Sequence, residues 1–150
     1  MVVAGIVAAG MGSPWAGAWA QEGGARGVAL PEGLTLSERA ARRMPQPVRV
    51  GDLVGRAVLE PSNHQGRLGR VAGVSRGADG ALLLVFRYGG LLGFGTRPIA
   101  VPIEATALLG QFVQVTDVAL ATLHALPDWT GEGATALGAD DVVRIGLNRN

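Results

Sequence analysis

Residues 81–105 read ALLLVFRYGGLLGFGTRPIAVPIEA, and the fold turns on how they are read. A dense apolar run meets a loop holding Gly89, Gly90, Gly93 and Gly95, and a second run then alternates. In an extended chain Leu82, Leu84, Phe86 and Tyr88 point one way, and Ala81, Leu83 and Val85 the other. A strand apolar on both faces is central or sandwiched. After the loop Ile99, Val101 and Ile103 share one face, while Pro98 and Pro102 bracket the other and bring no ladder donors. That pattern predicts an edge strand or a bulge.

The loop itself does not cradle a phosphate. Such loops open a helix, whose first N–H groups bind the anion; this one feeds a strand, and neither G-x-G-x-x-G nor GK[ST] spacing occurs in it. Its glycines supply positive φ in a wide hairpin. Leu91, Leu92 and Phe94 are bulky for an exposed connection. Two readings stand side by side: a contact site, since solvent-facing apolar clusters mark such sites, or a lid that fills the mouth of a small barrel. Leu91, Leu92, Phe94 and Arg97 are the candidate contact residues.

Outward from this stretch the period stays near two. In VRVGDLVGRAVL (48–59), Val48 and Val50 flank Arg49, Val54 and Val58 flank Arg56, and Leu53, Ala57 and Leu59 face the other way. EPSNHQG (60–66) is turn chemistry. RLGRVAGVS is a third strand, and Asp79-Gly80 signals a hairpin. GQFVQVT is another short strand. TDVALATLHALP changes period: Leu120, Leu123 and Leu126 form an apolar helical edge, Thr116 or Asp117 is placed to cap it, and Pro127 stops it. DDVVRIGLNRN alternates again, with Val143, Ile145 and Leu147 against Arg144, as a last strand closing on a barrel. Six or seven short strands with one or two short helices predict a mainly β fold, a small and mostly antiparallel barrel.

The beginning of the chain is different. Residues 1–20 carry no charged side chain, Val2–Ala9 is apolar, and Ala18-Trp19-Ala20 places small residues where a signal peptidase reads. The expectation is export to the periplasm or beyond, with cleavage after Ala20. An uncleaved membrane anchor is the rival, weakened by Gly10, Gly12, Ser13, Pro14 and Gly17. Residues 21–47 read as a flexible linker containing TLSE (35–38), a capping box ahead of a short helix. Arg39, Arg42 and Arg43 there form a small basic cluster, read as a solvated face.

Composition closes off much chemistry. The 150 residues contain no cysteine, which excludes disulfides, thiolate metal sites and cysteine nucleophiles. All 13 basic residues are arginine, so neither a lysine Schiff base nor a Walker-type lysine exists. A net charge of +1 gives no strong field for nucleic acid, and the arginines are spread one or two per strand. His64 and His124 are two scattered imidazoles, short of a zinc site. Ser62 and His64, at i and i+2 in a turn, do not make a nucleophile and base, and no G-x-S-x-G elbow exists. His124 and Asp128 are i, i+4 across Pro127. Asp140 and Asp141 are neighbours on an extended chain and face opposite ways, not one cleft. Trp129 reads as a packing anchor. No cofactor, metal or catalytic residue is expected; the alternatives are a membrane-tethered accessory subunit and, behind it, a small hydrolase or metal enzyme with a site at His64 or His124.

The order of these features resembles the PRC-barrel domain family, named after the cytoplasmic domain of the photosynthetic reaction-centre H subunit. The likeness runs from about Gly51 to Trp129. GDLVGRAVL opens it, GRLGRVAGV follows, then ADGALLLVFRYGGLLGFGTRPIAVP, and FVQVTDVALATLHALPDW closes it. The resemblance implies residues 48–129 as a small β-barrel domain, with residues 130–150 as an extension carrying a last strand. It implies a binding or scaffolding module and not an enzyme. One branch of the family lies in the reaction-centre subunit; another is the C-terminal half of a ribosome-maturation factor that grips a small-subunit protein. The upstream barrel of that factor has no counterpart here, and residues 2–20 are a poor version of the reaction-centre subunit's membrane helix. The expected partner is therefore a protein. Self-association through an edge strand is a further expectation, nucleic acid is not, and a membrane enters only if residues 2–20 are retained.

Overall fold

A computed structural model describes residues 34–61, 66–90 and 94–148. Among them nine strands make one mixed sheet, in the order β1-β9-β6-β7-β2-β3-β4-β5, with β8 beside β3. The strands are β1 (Gln46–Arg49), β2 (Ala57–Leu59), β3 (Arg67–Arg76), β4 (Leu82–Tyr88), β5 (Arg97–Pro102), β6 (Thr106–Leu109), β7 (Phe112–Val115), β8 (Thr135–Ala136) and β9 (Val142–Leu147). Three short helices accompany them: α1 (Leu36–Arg42), α2 (Val50–Leu53) and α3 (Leu120–Ala125). A 3-10 turn, Ile103–Ala105, follows β5.

The chain is thus mainly β and mostly antiparallel, but the sheet does not close into the expected barrel. Its ends, β1 and β5, pair with β9 and β4 alone. The prolines explain one end. Pro98 and Pro102 lie at the same alternation on β5, and the Pro98 carbonyl points outward to accept the Trp129 N–H at 2.7 Å. Both residues lack the outward N–H that another strand would need, so β5 is an edge, as its sequence predicts. At the other end β1 has only four residues. Two pairings are parallel, β2 with β7 and β6 with β9, so the sheet is mixed.

The centre is the β3–β4 hairpin. Gly69–Arg76 pairs with Leu82–Tyr88 through a bulge at Ala72, and the turn carries Gly80 at φ 87. The Asp79 carboxylate accepts the Ala81 N–H at 3.0 Å. β4 buries both faces as read. Leu84 and Phe86 enter the main core with Ile99, Val101 and Val113. Leu83 and Val85 lie on the opposite side with Ala100, under Trp129. At about 25 cal/mol per Å² of apolar surface, such two-sided burial makes this hairpin the chief source of hydrophobic stabilisation.

Three local readings are corrected. The run 48–59 is not one extended stretch, because α2 interrupts it. The Val50 and Gly51 N–H groups donate to the carbonyls of Asp141 and Ala139, each at 2.9 Å, which pins this segment to the loop before β9. Val50 and Leu53, three apart, then share the buried face of one turn. Among the described residues the helices number three rather than one or two. Finally, Thr116 and Asp117 do not cap α3: its N-cap is Ala119, without a side-chain bond. Asp117 is engaged elsewhere, as described below.

The capping box is present: the Thr35 hydroxyl accepts from the Glu38 N–H, and the Glu38 carboxylate accepts from the Thr35 N–H at 2.7 Å. Residues 34–47, read as the end of a tether, form α1 and the start of β1. The expected last strand joins the sheet, where β9 lies between β1 and β6. No described helix is long and apolar enough to cross a membrane. The export signal falls on residues 1–20, outside the described residues.

Candidate functional site

The glycine-rich loop leaves the end of β4 and returns at β5. Gly89 and Gly90 adopt φ of 77 and 85, in the region that glycine alone enters freely. A Cβ on Gly90 would lie 2.5 Å from the Thr96 side chain and 2.7 Å from the Phe94 carbonyl. Gly90 therefore has no room for a side chain. Leu91 and Leu92 lie outside the described residues. Phe94 is 80% exposed. This ring is not packed onto the sheet end.

Arg97, the fourth residue of the expected contact loop, points the other way. Its guanidinium closes the C-terminal end of α3, donating to the carbonyls of Leu126 at 2.6 Å and His124 at 2.9 Å. Positive charge is favourable there, where the last carbonyls of a helix lack partners. The same guanidinium pairs with Asp128 at 3.0 Å and lies over the Tyr88 ring, 5.4 Å from its centroid. Arg97 is thus fixed by β5, α3 and β4 together.

Tyr88 completes the cluster. Its hydroxyl lies against the His124 ring, with Nδ1 nearest and Nε2 at 3.1 Å. The Tyr88 and His124 rings meet edge to face, 5.3 Å between centroids, and Phe86 packs on Tyr88 from the core at 6.4 Å. Burial raises the Tyr88 pKa, against the opposing pull of Arg97. Burial thus favours the neutral phenol. His124 and Asp128, doubtful as a pair in the sequence, are joined through Arg97.

Two arginine groups appear that sequence spacing conceals. In the first, Arg39 and Arg43 of the α1 segment hold Asp117 from two sides, at 2.7 and 2.5 Å, and the Asp117 side chain is 4% exposed. The Thr116 hydroxyl adds a third bond to that carboxylate at 2.8 Å. The basic cluster read as a solvated face is thereby split: Arg39 and Arg43 turn inward.

In the second group, Arg56, Arg67 and Arg70 line one concavity of about 490 Å³ with Val54, Gln111 and Phe112. The guanidinium of Arg70 donates to the Gly55 carbonyl at 2.9 Å, and that of Arg56 to the carbonyls of Asp52 at 2.6 Å and Gly110 at 3.2 Å. Among the described residues no carboxylate lies within ion-pair distance of any of the three. Arg87 adds to this face: it stands directly opposite Arg70 in the β3–β4 register. The sequence reading of arginines spread singly is therefore corrected. The strands bring together cations that are up to 31 residues apart.

The remaining candidates are dispersed. Ser62 and His64 lie outside the described residues. Asp141 accepts the Gly138 N–H at 2.7 Å and shapes the loop before β9. Trp129 packs over Leu83, Val85 and Ala100. Among the described residues no three histidine or acidic side chains gather as a metal site would require. No family model matches the chain, and no curated protein matches it.

Proposed function

We propose that this chain is a non-catalytic binding or scaffold module that takes a protein partner at the sheet end where Phe94 stands. The observation that carries the reading is the Phe94 ring, 80% exposed on a turn whose base is held rigidly by Arg97 and Tyr88. A large aromatic on a preorganised support loses little entropy when a partner covers it. The interior supports the non-catalytic reading: apart from Ser75, Thr106 and Gln114 the described buried side chains are hydrocarbon, and the Tyr88, His124, Arg97 and Asp128 groups bond to one another at the rim.

The PRC-barrel type is part of this proposal. The sequence pattern from Gly51 to Trp129 supports it, in a version whose sheet is open between β5 and β1. Export is the other part, supported by the apolar Val2–Ala9 run and the Ala18-Trp19-Ala20 site. N-terminal sequencing of the protein from its producing cells should begin at Gln21; a full-length protein confined to the cytosol would remove export.

The partner face is tested by cross-linking and capture of the tagged protein. Wild type and an Arg76→Ala control, altered at the other end of β3, should retain the same specific protein, and Phe94→Ala should lose it. Equal retention by Phe94→Ala would sink the reading.

A further inference from the structure

We propose that the concavity lined by Arg56, Arg67 and Arg70 binds an acidic peptide segment of a protein partner. The inference rests on the reading of the chain as a protein-binding module and names the chemistry of what it binds.

Charge is the first argument. Arg56, Arg67 and Arg70 converge with no carboxylate in ion-pair range among the described residues, and Arg87 faces Arg70 directly across the β3–β4 ladder. Like charges opposite each other on antiparallel strands are destabilising, so this face is held at a cost that an anion would relieve. The nearby acids do not supply it. Asp52 meets Arg56 through its backbone carbonyl, and the Glu60 carboxyl is packed 2.7 Å from where Gly66 would carry a Cβ.

Orientation is the second. Backbone carbonyls hold Arg56 and Arg70 by some of their donors and leave the rest of each five-donor fork available. A carboxylate is met bidentately by such a fork. Arg67 is exposed, and among the described residues its guanidinium meets no hydrogen-bond or ion-pair partner.

Shape decides between a small anion and a chain. Small-ligand sites enclose most of their ligand. Here the site is an open trough between the start of β3 and the tip of the β6–β7 turn. Val54, 47% exposed, and the half-buried Phe112 give it apolar walls. Carboxylates spaced along an extended peptide fit the arginines, and its aliphatic stems fit those walls. Continuity with the Phe94 end also favours a protein. Gly89 donates to the Leu68 carbonyl at 3.0 Å, so the Phe94 loop starts alongside the strand end that carries Arg67.

The test is fluorescence anisotropy with a labelled octaglutamate peptide and the full chain. Saturable binding that weakens with added salt is expected. Arg67→Ala should weaken it roughly twofold to fivefold, the range of one exposed charge pair, and Arg67→Glu more than tenfold, while Arg76→Ala leaves it unchanged. The Arg67 guanidinium holds no described residue, so an unaltered circular dichroism spectrum is expected and checks the fold of each variant. No saturable binding, or equal binding by Arg67→Glu, overturns the proposal. So does tighter binding of inorganic pyrophosphate, of a single-stranded oligonucleotide, or of phosphatidylserine vesicles at equal salt. Phe94→Ala serves to separate the two proposals: octaglutamate binding that survives it supports the trough even if the Phe94-dependent partner fails, and the reverse pattern removes the trough alone.

Discussion

Two groups of arginines on this molecule meet opposite fates. Arg39 and Arg43 close on Asp117, a carboxylate with a side chain only 4% exposed, which offsets one of their two charges where they are made. Arg56, Arg67 and Arg70 close on backbone carbonyls, and their charge stays on the surface. In a chain without lysine, one residue type serves both as a rivet and as an open hand. The difference lies in the neighbour, not the cation. A nearly buried carboxylate needs its partners, whereas an arginine held by carbonyls loses nothing by staying charged in water.

The comparison breaks most sharply at Asp117. Asp117→Ala leaves two guanidiniums without their anion and frees α1, which has no buried residue of its own. The expected loss is about 2–3 kcal/mol, below the usual cost of breaking a fully buried pair because the arginines are partly solvated. Urea unfolding reads it directly, and Asp117→Asn should lose less, since an amide oxygen still accepts. An unchanged midpoint would mean that both arginine groups are surface decoration. Gly146→Ala tests the same rivet from the side. A Cβ there would lie 2.6 Å from the Arg43 Cβ, a part of the side chain that cannot swing away. Displacing Arg43 from Asp117 should cost about 1–2 kcal/mol by overpacking. The open group should behave differently: Arg67→Ala should shift stability by no more than about 0.5 kcal/mol.

Sequence reading recovered what depends on neighbours along the chain. The two-faced β4, the proline-marked edge β5, the Asp79-Gly80 turn and the Thr35–Glu38 box all rest on local periodicity or local bonds, and all are present. It failed where contacts between distant segments decide. Val50–Leu53 looks extended by its alternation, yet the carbonyls of Asp141 and Ala139 pull it into a helical turn. Barrel closure needs a register match between β1 and β5, and no residue pattern in either strand states one. The candidate contact loop was legible only in part. Phe94 is exposed as a hydrophobic loop residue can be, but Arg97 is drawn under α3 by carbonyls more than 25 residues away. The arginine trough left no trace in sequence, because β2, β3 and the β6–β7 turn must fold before its members meet.

The smallest effect sharpens the comparison most, because it separates the two ends of α1. The Glu38 pKa is lowered by the Thr35 backbone N–H first, then by the Thr35 hydroxyl, with a further pull from Arg42. A carboxylate with a lowered folded pKa adds stability that is full above the ordinary glutamate value, about 4.3, and fades as pH falls through the folded value. Acid should therefore loosen the first turn of α1, while Arg39 and Arg43 still hold the remainder to Asp117. Amide NMR between about pH 5 and about pH 3 should show the Thr35 and Glu38 signals moving while those of Ala40 and Ala41 stay in place. Glu38→Gln keeps an acceptor oxygen and removes the titration, so its Thr35 signal should stay flat across the range. If instead the whole helix departs with the Glu38 proton, the Asp117 rivet is not what anchors α1, and the contrast between the two arginine groups loses its basis.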